Sequence, residues 1–145
     1  MLREAKYGAA DRGRPWLLGL WVMLGALLSV ALWAYTPSLP AEMLKTRYAN
    51  EDSKFIDIAG AQTHVRDQGN PDGIPLVLIH GSGGSLHVWE GWTYELRSKR
   101  RLISVDLPGH GLTGAWPRGA YTVEAYADFI EVLLDTLKIE RVALA

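Results

Sequence analysis

From Trp16 to Tyr35 the chain reads Trp-Leu-Leu-Gly-Leu-Trp-Val-Met-Leu-Gly-Ala-Leu-Leu-Ser-Val-Ala-Leu-Trp-Ala-Tyr, without a single charged side chain. A helix of that length measures about 30 Å, the thickness of a bilayer's hydrocarbon core. A core helix of a soluble protein would normally keep a polar face, and this run has none. Trp16 at one end and Trp33 and Tyr35 at the other stand about 26 Å apart at helical rise, close to where two water interfaces would lie. Pro37 and Pro40 then stop the helix.

Basic residues are retained on the cytoplasmic side of a membrane. Arg3, Lys6, Arg12 and Arg14 precede the run, and only Lys45 and Arg47 follow it closely. A cleaved secretory signal shares the basic start and apolar stretch. The stretch is long for a signal, however, and Ala31-Leu-Trp-Ala-Tyr35 puts bulky residues where a cleavage site wants small ones. The expectation is a cytoplasmic basic tail over 1–15, a transmembrane signal-anchor helix over 16–35, a linker over 36–52 and a domain over 53–145. The protein would then be a single-pass cell-membrane protein, held in the lipid bilayer by residues 16–35, with its domain outside the cytoplasm.

A net charge of −1 and a pI of about 6.4 give no concentration of Lys and Arg for a nucleic-acid partner. The chain has no cysteine, which excludes disulfides, a thiolate nucleophile and Cys-ligated zinc. His64, His80, His87 and His110 form no His-x-x-x-His pair, so no metal is expected, and no cofactor.

In the remainder, Phe55–Ile58 and Thr63–Asp67 flank a Gly-containing turn and read as a hairpin, with the strand that carries His64 expected at a sheet edge. After a turn at Asn70-Pro-Asp-Gly73, Leu76-Val-Leu-Ile79 is apolar at every position, as a parallel strand covered on both faces requires. A helical stretch near Leu86–Leu96 leads to a strand at Arg101–Asp106. Over Thr122–Ile139, Val123, Tyr126, Ile130, Leu133 and Leu137 then recur at helical spacing, with Thr122 as N-cap. Val142–Ala145 opens a further strand. Alternation of this kind indicates an α/β sheet with an antiparallel start and right-handed parallel crossovers.

Two glycine turns fall at the carboxyl ends of parallel strands, where ligands of such sheets collect. His80-Gly-Ser-Gly-Gly-Ser85 follows the apolar strand, and its sparse side chains let backbone N–H groups face a developing oxyanion. Asp106-Leu-Pro-Gly-His-Gly111 is a sharp reversal whose Asp reads as structural rather than catalytic. Gly109-His-Gly-Leu-Thr-Gly114 also satisfies the dinucleotide fingerprint, but Trp116-Pro-Arg-Gly119 follows where a helix should open.

Together the two turns resemble the α/β-hydrolase superfamily over Phe55–Ala145. The resemblance implies the N-terminal half of a hydrolase sheet preceded by one transmembrane helix. It also implies that the Ser82 backbone amide supplies one oxyanion-hole donor, with Gly81, Gly83 and Trp89 near a small-molecule substrate. Trp89 and Trp92 have another reading, as packing of their helix on the sheet. In the superfamily the strand beginning at Val142 runs into the turn bearing the nucleophile. The nucleophile, acid and His base are therefore expected beyond Ala145, with these residues alone inactive. The reaction class is hydrolysis of an ester, thioester, amide, epoxide, carbon–halogen or carbon–carbon bond. The alternative is a non-catalytic membrane-anchored binding module built on a half sheet.

Overall fold

The computed structural model describes residues 14–145, so most of the expected basic tail lies outside the described residues. The chain divides into two compact units, up to Ser38 and from Leu39 onward.

In the first unit, helix α1 spans Pro15–Ala34. Its first residue is proline, which fits a helix start because its missing N–H would have no partner there. Leu18, Leu20, Trp21 and Met23 are exposed on different sides of it, as expected where the apolar residues follow no stripe. Its one hydroxyl, Ser29, donates to the Gly25 carbonyl at 2.8 Å, the bond that satisfies serine in a medium without water. Mean hydropathy reaches 2.2 over Trp16–Ala34. The helix is thus long and apolar enough to cross a membrane.

The second unit is a five-stranded mixed sheet. Its elements run α2 (Ala41–Tyr48), β1 (Ser53–Ile58), β2 (Ala61–Gly69), β3 (Leu76–Ile79), a 3-10 turn (Leu86–Trp89), α3 (Glu90–Leu96), β4 (Arg101–Val105), α4 (Val123–Thr136) and β5 (Ala143–Leu144). The strand order is β1-β2-β4-β3-β5. Strands β1, β2 and β4 pair antiparallel, and β3 lies parallel to both β4 and β5.

The hairpin turns at Ala59-Gly60, both at positive φ (52° and 87°), the geometry that matches the right-handed twist of its strands. Side chains alternate across the sheet. Val77, Ile103 and Val105 pack on one face with Phe129, Ile130 and Leu133 of α4. Leu76, Leu78 and Leu102 pack on the other with Trp89 and Leu96. This two-sided covering is why Leu76–Ile79 carries no polar residue.

Helix α4 begins as its sequence indicates, with the Thr122 hydroxyl accepting the Ala125 N–H at 3.2 Å. It ends earlier than its apolar period. Lys138 takes a left-handed conformation (φ 56°), and the N–H groups of Ile139 and Lys138 close on the carbonyls of Leu134 and Asp135, a Schellman cap made without glycine.

Two expectations change. The linker over 36–52 contains α2, which the sequence hides because eight residues show little period. Strand β2, expected at an edge, lies between β1 and β4, so His64 is interior.

Candidate active site

The site is assembled at the carboxyl ends of β3 and β4. Directly after β3, His80 is buried and bridges the two glycine turns. Its Nε2 accepts the Leu107 N–H at 3.0 Å, and its Nδ1 lies 2.8 Å from the Gly81 carbonyl. Accepting at Nε2 leaves the proton on Nδ1, so this second bond is a donation. His80 therefore orients its loop, as its position in the sequence suggests.

A tight turn follows, closed by the Gly84 N–H on the Gly81 carbonyl at 3.0 Å, with Gly83 at φ 73°. Positive φ at that third position belongs to a type II turn and favours glycine. Ser82 and Gly83, at its apex, are exposed. Among the described residues, neither of their N–H groups donates to a protein acceptor. A side chain at Gly81 or Gly83 would meet nothing within 4 Å, so the space above the apex is open.

The far end of the loop is pinned by Asp106. This fully buried carboxylate accepts the Leu86 N–H through Oδ1 at 2.7 Å. Oδ2 takes the Leu112 N–H and faces His64 Nδ1, each at 2.8 Å. Burial alone would raise its pKa. The His64 hydrogen bond and the two amides outweigh that and hold it below the ordinary carboxylate value. His64, also fully buried, stacks on Phe55 at 5.0 Å and places Nε2 2.8 Å from Ser53 Oγ. The carboxylate is thus committed to structure. Gly111 completes the motif, since at φ 53° any Cβ would overlap the Asp106 carboxyl group.

Between the turns lies a cleft of about 640 Å³, walled by Gly81 and Ser82 on one side and by Pro108, His110, Tyr121 and Tyr126 on the other. It offers carbon and aromatic surface with the apex of the Ser82 turn at its rim, the composition of a small-molecule site.

Ser82, Gly81 and His80 all reach this cleft. Trp89 does not: it packs on Leu76, Leu78 and Leu102, with its Nε1 buried and unpartnered. Trp92 meets Trp89 edge-on at 5.7 Å while staying exposed. After Gly114 the chain turns at Trp116–Gly119, and α4 begins only at Val123. No helix opens on the dinucleotide-like pattern. Among the described residues, no cluster of three or more His, Asp or Glu side chains could hold a metal.

The His64–Asp106 bond is the main site feature that sequence reading missed. Its partners are 42 residues apart, and no local pattern links a strand residue to a turn at that distance.

Residues 74–145 match the family model described as alpha/beta hydrolase fold. Over 98 residues the chain is 36% identical to a 2-hydroxy-6-oxo-2,4-heptadienoate hydrolase from Pseudomonas putida, an overlap of 65% of this chain and 34% of that protein. It is 32% identical over 96 residues to a haloalkane dehalogenase from Agrobacterium fabrum, 65% of this chain and 31% of the relative. Among solved structures, a meta-cleavage product hydrolase from Pseudomonas fluorescens superposes with a TM-score of 0.58 at 31% identity, covering 66% of this chain and 36% of that one. The chain spans about a third of the length of the curated relatives it matches.

Proposed function

Since this chain belongs to the alpha/beta hydrolase fold family, we propose that it carries the oxyanion-binding side of a membrane-anchored hydrolase. The observation behind this reading is the exposed Ser82 turn, whose amides have no protein acceptor among the described residues and sit at the rim of a cleft at the carboxyl end of β3. Fixed N–H donors at such a place stabilise charge that develops on a substrate oxygen, and being pre-oriented they need no rearrangement during the reaction. The Ser82 amide is the donor, with Gly83 beside it. A nucleophile, acid and His base beyond Ala145 complete the site, together with a second amide next to the nucleophile.

The substrate is a small organic molecule with a hydrolysable ester, thioester, amide, epoxide, carbon–halogen or carbon–carbon bond. The relatives support this range, since their names include hydrolases of a hydroxy-oxo-dienoate and a haloalkane. Gly81 and Gly83 keep side chains out of its path. The apolar helix α1 anchors the enzyme in the cell membrane, with the hydrolase domain on the far side from the cytoplasm. Arg3, Lys6, Arg12 and Arg14 support that orientation.

Because the amide is invoked and not the hydroxyl, Ser82→Ala in the full-length enzyme should change turnover little. Ser82→Pro removes the N–H and should lower kcat by about a hundredfold or more. A Ser82→Pro enzyme with an unchanged circular dichroism spectrum and full activity would move the donor elsewhere, to Gly83 first.

A further inference from the structure

Outside the cleft, the second unit has a hollow of about 370 Å³, lined by Leu44 and Tyr48 of α2 and by Ser85, His87, Gly111 and Leu112. Its polar atoms are turned on one another. Ser85 Oγ lies 3.3 Å from His87 Nδ1, while His87 Nε2 faces the Arg66 guanidinium at 3.1 Å. The lining therefore presents chiefly carbon, with the Leu44 and Leu112 side chains half-buried. The Arg47 guanidinium lies over the ring of Tyr48, one of the lining residues, at 5.5 Å. Among the described residues Arg47 has no carboxylate partner.

We infer that this hollow holds one acyl chain of a bilayer phospholipid, whose phosphate is met by Arg47. The inference rests on the reading of α1 as a membrane anchor. Between Ala34, where α1 ends, and Ala41, where α2 begins, the connection can span at most about 25 Å. If α1 crosses the bilayer, that reach bounds the distance of the start of α2 from the lipid surface to about 25 Å. Leu39, just before α2, and Met43 in its first turn are both more than half exposed (54% and 56%), so the start of α2 offers carbon to that surface as well. The volume falls in the range of small-ligand sites, about 300–1,000 Å³, and suits a single flexible chain. A guanidinium stacked on the lining residue Tyr48 supplies the charge complement of a phosphate. Ser85 and Gly111 belong to the two turns that build the cleft, so a lipid seated here would lie beside the hydrolytic site.

The full chain should be reconstituted in nanodiscs of phosphatidylglycerol bearing a diazirine at the end of one acyl chain, irradiated and mapped by mass spectrometry. Crosslinks are expected in α1 and also on the peptides holding Leu44, Tyr48 and Leu112. Leu44→Trp and Leu112→Trp, which fill the hollow from opposite walls, should each reduce the hollow's labelling by about tenfold, equivalent to about 1.4 kcal/mol, while α1 labelling stays constant. Arg47→Gln should reduce it as well. Hydrogen exchange at the Leu86 and Leu112 amides verifies that each variant keeps the Asp106 clasp. Labelling confined to α1 overturns the acyl-chain site and leaves the anchor standing. Labelling of the hollow that both tryptophans leave unchanged also overturns it. An unlabelled α1 overturns the anchor itself.

Discussion

At the scale of single residues, the molecule depends on Asp106. Its two oxygens hold the end of the Ser82 loop through Leu86, the following turn through Leu112, and β2 through His64. Asp106→Asn keeps the shape but turns an NH₂ group toward a backbone donor, and should cost about 2–4 kcal/mol at neutral pH. The dependence on pH has a definite sign. A carboxyl whose folded pKa is depressed stabilises fully above its unfolded value, about 3.9, and the benefit is lost as pH falls through the lower folded value. Urea unfolding of both proteins should therefore show a gap that is constant from neutral pH to about pH 5 and narrows below about pH 4. A gap independent of pH would mean that ionisation of Asp106 contributes nothing. The sequence marks this residue as the start of a turn and as structural. It cannot reveal His64 as the partner, because that pairing depends on how β2 registers against β4, with Val65 opposite Val105.

At the scale of elements, the strands and long helices were legible because their patterns are physical requirements. Leu76–Ile79 is apolar throughout because helices cover both faces, and the Thr122 cap does what its position indicates. The misses share a cause, which is that short elements carry too few residues to display a period. Helix α2 was hidden in this way, although the Tyr48 carbonyl ties it to the Arg66 guanidinium at 3.1 Å. The end of α4 was misjudged because its stop is a lysine. A side chain at positive φ costs about 1–2 kcal/mol relative to glycine. Lys138→Gly should therefore raise stability by roughly 1 kcal/mol, read as a higher urea midpoint with an unchanged slope. An unaltered or lower midpoint would show that the cap carries no such strain.

At the scale of the whole molecule, two kinds of unit share one chain: a helix with apolar side chains exposed on all its sides and a sheet covered by helices on both faces. Proposals about the anchor stand or fall on topology. A reporter active only outside the cytoplasm, fused after Asn50, should be active, and one that works only in the cytoplasm should be silent. The reverse pattern would overturn the orientation inferred from Arg3, Lys6, Arg12 and Arg14. The α/β class and the glycine turns were readable from 145 residues, because they depend on local composition. Trp89 stayed between two readings, since whether an indole lines a cleft or covers a sheet depends on the crossing of α3 over β3.

The strand order β1-β2-β4-β3-β5 also sets a timetable for synthesis. Strand β3 leaves the ribosome before either of the strands that flank it. Between Ile79 and Arg101 lie some twenty residues, about one to four seconds of translation at about 5–20 residues per second. During that interval the most apolar strand of the domain has no neighbour to pair with, and the β1–β2 hairpin offers none, since β2's free side is reserved for β4. A nascent chain of this design passes through a brief window of stickiness midway through its making, in which a chaperone at the ribosomal exit would find Leu76–Ile79 bare.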